Sequence, residues 1–190
     1  MVDNESPVKK MPNPAGLGLL GFGLTTVLLS FHNLGLFGLD STILSMGIFY
    51  GGVAQVIAGV FEFKNGNTFG ATAFTSYGLF WLTFVAINTA LGGDLLHGSE
   101  PASLGAYFAI WGVVTLFLFI GTLKATRMLQ VVFLTLTILF FLVAIKDASG
   151  ISDIAYVAGG VGVLCGGSAM YTAFGEVLNE QHGRTILPLG

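Results

Sequence analysis

Charge is missing from long stretches of this chain, and that absence limits the folds open to it. No charged side chain falls between Asp40 and Glu62, between Glu100 and Lys124, or between Asp153 and Glu176. About 20 apolar residues in a helix cross roughly 30 Å of hydrocarbon. Six such stretches fill the sequence, over residues 15–36, 41–61, 68–91, 104–123, 127–145 and 154–177. Continuous runs such as Val131–Ile145 do not alternate, as strands of a transmembrane barrel would. The expectation is an all-α, polytopic membrane protein. The fifth stretch, between Arg127 and Lys146, is the shortest and should cross nearly upright. With 54% hydrophobic and 9% charged residues, no room is left for a soluble domain.

Basic residues set the orientation. Lys9 and Lys10 precede the first span, Lys64 follows the second, Lys124 and Arg127 join the fourth and fifth, and Arg184 follows the sixth. Lys146 alone falls on the opposite side. This positive-inside bias places both termini in the cytoplasm. Residues 1–12 are then expected to be a disordered cytoplasmic segment, 13–182 the six-helix transmembrane domain, and 183–190 a cytoplasmic tail. Residues 1–11 are polar, and the apolar run behind them is too long for a cleavable signal.

Twenty-eight glycines are more than helix propensity in water would permit. In a bilayer, small residues let helix backbones approach. Gly47, Gly51, Gln55 and Gly59 recur at four-residue spacing, as do Ala158, Gly162 and Gly166. Tight packing explains both stripes; a solute path lined by Gln55 would use the first as well. Cys165 stands alone, which rules out an intrachain disulfide and fits a small buried filler.

Polar residues near the span ends are few. His32 and Asn33 lie toward the outer side, and Glu62 and Glu176 toward the inner side. Each suits an interface position reaching water, and the two glutamates are also the carboxylates placed to titrate during a transport cycle. Asn13-Pro14 and Asn67-Thr68 read as helix starts. A helix N-terminus also attracts anions, although ordinary capping accounts for both. The sequence carries no HExxH, Gly-x-Ser-x-Gly or Walker signature, so no enzyme, cofactor or metal site is expected. A basic stripe for nucleic acid is also missing.

Longer motifs are more specific. Asn13-Pro14-Ala15-Gly16-Leu17-Gly18-Leu19, Gly21-Phe22-Gly23-Leu24-Thr25-Thr26 and Met46-Gly47-Ile48-Phe49-Tyr50-Gly51-Gly52 resemble the acetate uptake transporter family, the succinate–acetate permeases. So do Phe63-Lys64-Asn65-Gly66-Asn67-Thr68-Phe69-Gly70, Thr72-Ala73-Phe74-Thr75-Ser76-Tyr77-Gly78 and Gly175-Glu176-Val177-Leu178-Asn179-Glu180. The likeness runs from residue 13 to about 188, with Gly16 standing where the family usually has proline.

The resemblance implies six helices around a pore in each subunit, a homohexamer in the plasma membrane, and passage of acetate and succinate, with or without protons. It implies a constriction at Phe22, Tyr77 and Leu136, and substrate choice at Leu136 and Ala169. Asn13, Gln55 and Glu62 match positions linked to binding or activity. Helix starts at 15, 68 and 127 put the three constriction residues about 11–14 Å deep at 1.5 Å per residue, a common depth. At the mouths, Asn13, Thr26, Gln55, Asn67, Thr68 and Thr75 would replace part of a carboxylate's water. Glu62 and Glu176 are the candidate proton carriers. A path for neutral solutes such as urea or ammonia, and a non-transporting membrane scaffold, are the competing expectations.

Overall fold

The structure, a computed structural model, describes residues 12–89 and 99–190. The N-terminal segment 1–11 and the Asp94 region of the third loop therefore lie outside the described residues. Six helices long and apolar enough to cross a membrane are present among them: α1 Ala15–Asn33, α2 Ser41–Lys64, α3 Thr68–Asn88, α4 Pro101–Thr122, α5 Arg127–Ser149 and α6 Ile154–His182. Each packs on its neighbour in the chain, and α6 closes back on α1. The end where residues 13, 64–67, 123–127 and 176–190 meet is called the near end below, and the other the far end.

Local chemistry sets the helix ends. Pro101 is the first residue of α4, earlier than the expected 104, because a first-turn residue needs no N–H. The helix α1 stops at Asn33, short of 36: Gly35 turns left-handed at φ 76°, and Leu36 N donates to Phe31 O at 3.1 Å. Gly150 (φ 71°) and Gly183 (φ 63°) end α5 and α6 in the same way. Both helices run past the apolar stretch, α5 to Ser149 and α6 to His182. The expected short fifth helix is thus corrected to one of 23 residues, longer than α1 at 19. Hydropathy marks where charge begins, whereas the backbone stops where a residue can take positive φ.

Glycine sets the tight crossings. A Cβ at Gly23 would stand 2.7 Å from Gly166 O, and one at Gly166 equally close to Gly23 O. At that crossing α1 and α6 touch backbone to backbone. A Cβ at Gly78 of α3 would come within 2.8 Å of Gly52 O on α2. Residues Gly47–Ala54 of α2 are wound as a π-helix, a wider turn than the α-helix on either side. By contrast α3 and α4 meet through rings. Tyr77 lies 6.0 Å from Trp111, Phe80 5.8 Å from Tyr107 and 6.3 Å from Phe108 between centroids.

Residues 183–190 fold back over the near ends of α5 and α6. Asn179 Oδ1 accepts from Ile186 N at 2.6 Å and Leu187 N at 3.0 Å, and Asn179 Nδ2 donates to Leu187 O at 2.9 Å. Tyr171 OH donates to Pro188 O at 3.0 Å. The free N–H groups opening α5 are also met here, since Met128 N donates to Leu189 O at 3.0 Å.

Candidate functional site

Two cavities run along the inside of the helix ring. The near cavity has a volume of about 290 Å³ and is bounded by Gln55, Glu62, Asn67, Thr126 and Glu176 among others. The far cavity, about 190 Å³, extends to His32, Asn33, Lys146 and Asp147. Phe22 and Leu136 line both. Tyr77 lines the near one, its ring centroid 6.0 Å from that of Phe22. All three are buried in one apolar cluster.

Helix geometry accounts for this layer. Phe22, Tyr77 and Leu136 lie at similar distances from the starts of α1, α3 and α5, so parallel helices carry them to one level. The hydroxyl of Tyr77 does not face the cavities. It donates to Thr115 Oγ1 at 2.9 Å, and Thr115 in turn donates to Trp111 O at 2.7 Å. The polar end of Tyr77 is spent on α4, leaving a carbon ring in the layer. Phe133 and Phe140 of α5 flank it, 6.1 and 6.5 Å from the Tyr77 centroid.

At the near end the two asparagines do two jobs each. Asn67 Oδ1 accepts from Gly70 N at 3.1 Å, capping α3, while Asn67 Nδ2 donates to Glu62 Oε2 at 2.9 Å. Asn13 Oδ1 accepts from Ala15 N at 3.0 Å at the start of α1, while Asn13 Nδ2 donates to Glu176 Oε2 at 2.9 Å. Each helix N-terminus thus has a carboxylate from the end of another helix beside it, a favourable arrangement with the helix dipole. Glu62 is only 3% exposed. Its carboxylate lies over Gly70, where a Cβ would stand 2.8 Å from Glu62 Cδ. The N-termini expected to attract anions therefore already face the protein's own carboxylates.

Gln55 is fully buried, level with Gly21 of α1. Its Nε2 donates to Gly51 O at 2.7 Å, and that bond fixes which way the amide points. Gln55 Oε1 has no hydrogen-bond partner among the described residues. Thr26 lines the far cavity. Thr68 is exposed at the first position of α3, and Thr75 packs against Gly59 of α2; neither is among the residues bounding the cavities. Ala169 is fully buried in the apolar cluster and Asn13 sits at the near rim, likewise outside those linings.

Sequence reasoning passed over Trp81, Trp111, Thr115, Phe133 and Phe140. A helical signal for two of them existed: Trp81 and Phe140 fall one turn after Tyr77 and Leu136. Nothing in the sequence distinguishes Thr115, whose role depends on how α4 meets α3.

Comparison with known proteins agrees with this architecture. The chain is 58% identical over 181 residues to the succinate-acetate/proton symporter SatP of Escherichia coli K12, covering 95% of this chain and 96% of that one. It is 32% identical to acetate permease A of Emericella nidulans and 36% to ammonia transport outward protein 2 of Saccharomyces cerevisiae. It covers 95% and 93% of this chain in those matches, but only 66% and 65% of the fungal proteins. A solved structure of the bacterial acetate channel SatP superposes with a TM-score of 0.93 at 58% identity, over 95% of this chain and all of that one. The family model for GPR1/FUN34/yaaH proteins matches residues 3–189. This chain, a multi-pass membrane protein by its six apolar helices and by these relatives, belongs to the GPR1/FUN34/yaaH family.

Proposed function

We propose that this protein carries small carboxylates, acetate and succinate, across the plasma membrane along its two cavities, with Phe22, Tyr77 and Leu136 as the constriction between them. One observation carries the reading: Phe22 and Leu136 bound both cavities, and Tyr77 has turned its hydroxyl away to Thr115. An all-carbon constriction resists hydrated ions and lets a methyl group through, as hydrophobic gates do. The names of the bacterial and Emericella relatives support the same substrates.

The basic-residue bias puts the near end in the cytoplasm. Glu62 and Glu176 then face the cytoplasmic cavity, each tethered by an asparagine, and are the groups to exchange protons with a passing acid. Gln55 Oε1, a buried acceptor on that cavity, suits the O–H of a protonated acid. Asn13, Asn67 and Thr68 shape the cytoplasmic mouth. Thr26 meets the substrate on the far side, Thr75 sets the α2–α3 spacing at Gly59, and Ala169 keeps α6 small within the buried apolar cluster. Exposed apolar side chains along α4, such as Ile110, Phe117 and Ile120, offer a surface to lipid and to neighbouring copies in a hexamer.

Uptake of labelled acetate into proteoliposomes, with pH gradient and membrane potential clamped separately, tests this. Accumulation driven by the pH gradient at zero potential means proton symport through the two glutamates. Flux that follows potential alone means an anion channel. The yeast relative named for ammonia supports a second reading, a path for a small neutral solute. That reading gains if methylammonium flux is fast and acetate does not compete; no flux of either from folded protein removes both.

A further inference from the structure

The start of α5 falls short of the near end of α6. The two helices are level where Cys165 Sγ donates to Val132 O at 3.5 Å. From that level α5 begins at Arg127, about 7.5 Å toward the near end at 1.5 Å per residue. Glu176 of α6 lies about 16 Å in the same direction. At Glu176, α6 therefore overhangs the start of α5 by roughly 9 Å, and Asn179 lies further out. Thr126, Thr172 and Glu176 bound the near cavity across this step.

Residues 184–190 occupy the step. Leu187 and Leu189 are half-buried, whereas Ile186 and Pro188 are exposed, the alternation of an extended strip with one face inward. A Cβ at Gly175 would stand 2.5 Å from Leu189 Cδ2, so Leu189 covers Gly175, which is buried although it lies past the start of α5. On the α5 side, Arg127 N donates to Gly190 O at 3.3 Å and Met128 N to Leu189 O at 3.0 Å. On α6, Tyr171, Gly175 and Asn179 recur at four-residue spacing, and all three touch the strip. Thr172 and Glu176 follow the first two by one residue, so the strip lies on the flank beside the cavity-facing side.

Asn179 holds the outermost point. Its Oδ1 accepts from Ile186 N and Leu187 N, and its Nδ2 donates to Leu187 O. That task needs an acceptor and a donor on one short side chain. Residues 183–186, 188 and 190 are exposed. Exposed hydrogen bonds with few buried apolar contacts mark a segment of low local stability.

We propose that residues 184–190 are a latch closing the near cavity between α5 and α6, and that Asn179 is the positioning residue that keeps it shut. Released, the strip uncovers Gly175 and the flank beside Glu176, and the cavity opens sideways at the step α5 does not reach. The latch goes beyond the transport reading and depends on no particular cargo.

The test is thiol labelling of the full chain in nanodiscs, with Cys165→Ala removing the one native cysteine. Thr172→Cys places a reporter in the near cavity and Asn33→Cys one in the far cavity. A cationic methanethiosulfonate reaches the near reporter in proportion to the open population. Asn179→Ala should speed labelling at position 172 about tenfold, the loss of one to two net hydrogen bonds, and leave position 33 unchanged. Tyr171→Phe removes only the bond to Pro188 O and should speed it about threefold, which keeps the test decisive if Asn179→Ala misfolds. Unchanged labelling at position 172 in the folded variants overturns the latch, as does an equal rise at both reporters, which means general loosening. Acetate uptake by the wild-type protein is read separately. Faster labelling without uptake leaves the latch standing and removes the transport reading; uptake with unchanged labelling does the reverse.

Discussion

The two cavities differ in chemistry although they share Phe22 and Leu136. The near cavity holds acids and an acceptor: Glu62, Glu176 and Gln55 Oε1, which has no partner among the described residues. The far cavity is lined by Trp81 and Thr26, whose Nε1 and Oγ1 have no partner among the described residues. Donors suit a carboxylate anion, whereas an acceptor beside carboxylates suits a proton-bearing group. Phe22 and Leu136 stand where the two environments meet. The contrast also shows why helix N-termini are poor guides to anion sites. At the near end Asn67 caps α3 and Asn13 accepts from Ala15 N at the start of α1, and each holds a glutamate there at once.

Substitutions can break or sharpen that contrast, and the largest effect should come from removing the frame that holds both cavities. Gly166→Leu drives a side chain into Gly23 O and should lower stability by about 3 kcal/mol or more. Gly167→Leu, next to it in the chain, meets nothing within 4 Å and should leave the melting temperature in detergent nearly unchanged. Equal melting temperatures for the pair would mean that the α1–α6 crossing is not what fixes the frame.

Next in size is the loss of the partition itself. Leu136→Ala joins the two cavities, and uptake of carboxylates larger than succinate should rise roughly tenfold, a barrier change of ~1.4 kcal/mol. An unchanged substrate range, at normal expression, would show that selection happens elsewhere. Glu62→Gln keeps an oxygen for Asn67 Nδ2 but removes the charge from the near cavity. Acetate accumulation driven by a pH gradient should fall about threefold, or ~0.7 kcal/mol, with Glu176 still in place. Downhill uptake under the same conditions should persist, and its loss would point to misfolding rather than uncoupling.

The smallest effect is expected from Tyr77→Phe. It deletes only the hydroxyl that bonds Thr115, so stability should drop by about 1 kcal/mol while acetate uptake stays the same. A marked change in uptake would mean that the hydroxyl reaches the substrate after all, and the layer would no longer be all carbon.

The number of helices and their apolar character were legible in the spacing of charges alone, because hydrocarbon excludes them over about 20 residues at a time. The common depth of Phe22, Tyr77 and Leu136 was also legible, since all three are counted from helix starts on one side. Helix ends were less so: α5 and α6 continue past the last apolar residue until Gly150 and Gly183 permit a left-handed turn. Length in sequence is additive along one helix, so one dimension suffices to read it.

Direction around a helix is another matter. That Tyr77 turns its hydroxyl to α4, that Trp81 shows its nitrogen edge away from α2, and that Asn179 clamps residues 186 and 187 were decided by neighbours distant in the chain. The glycine stripe of α2 shows the division. Its four-residue period was plain in the sequence, yet Gly47 and Gly51 face Trp81, Gly59 faces Thr75, and Gln55 between them faces α1 and the near cavity. A period fixes which residues share a side of a helix. What stands opposite that side is set only when backbones close to contact, and only then does a buried polar atom either find a partner or remain free for a substrate.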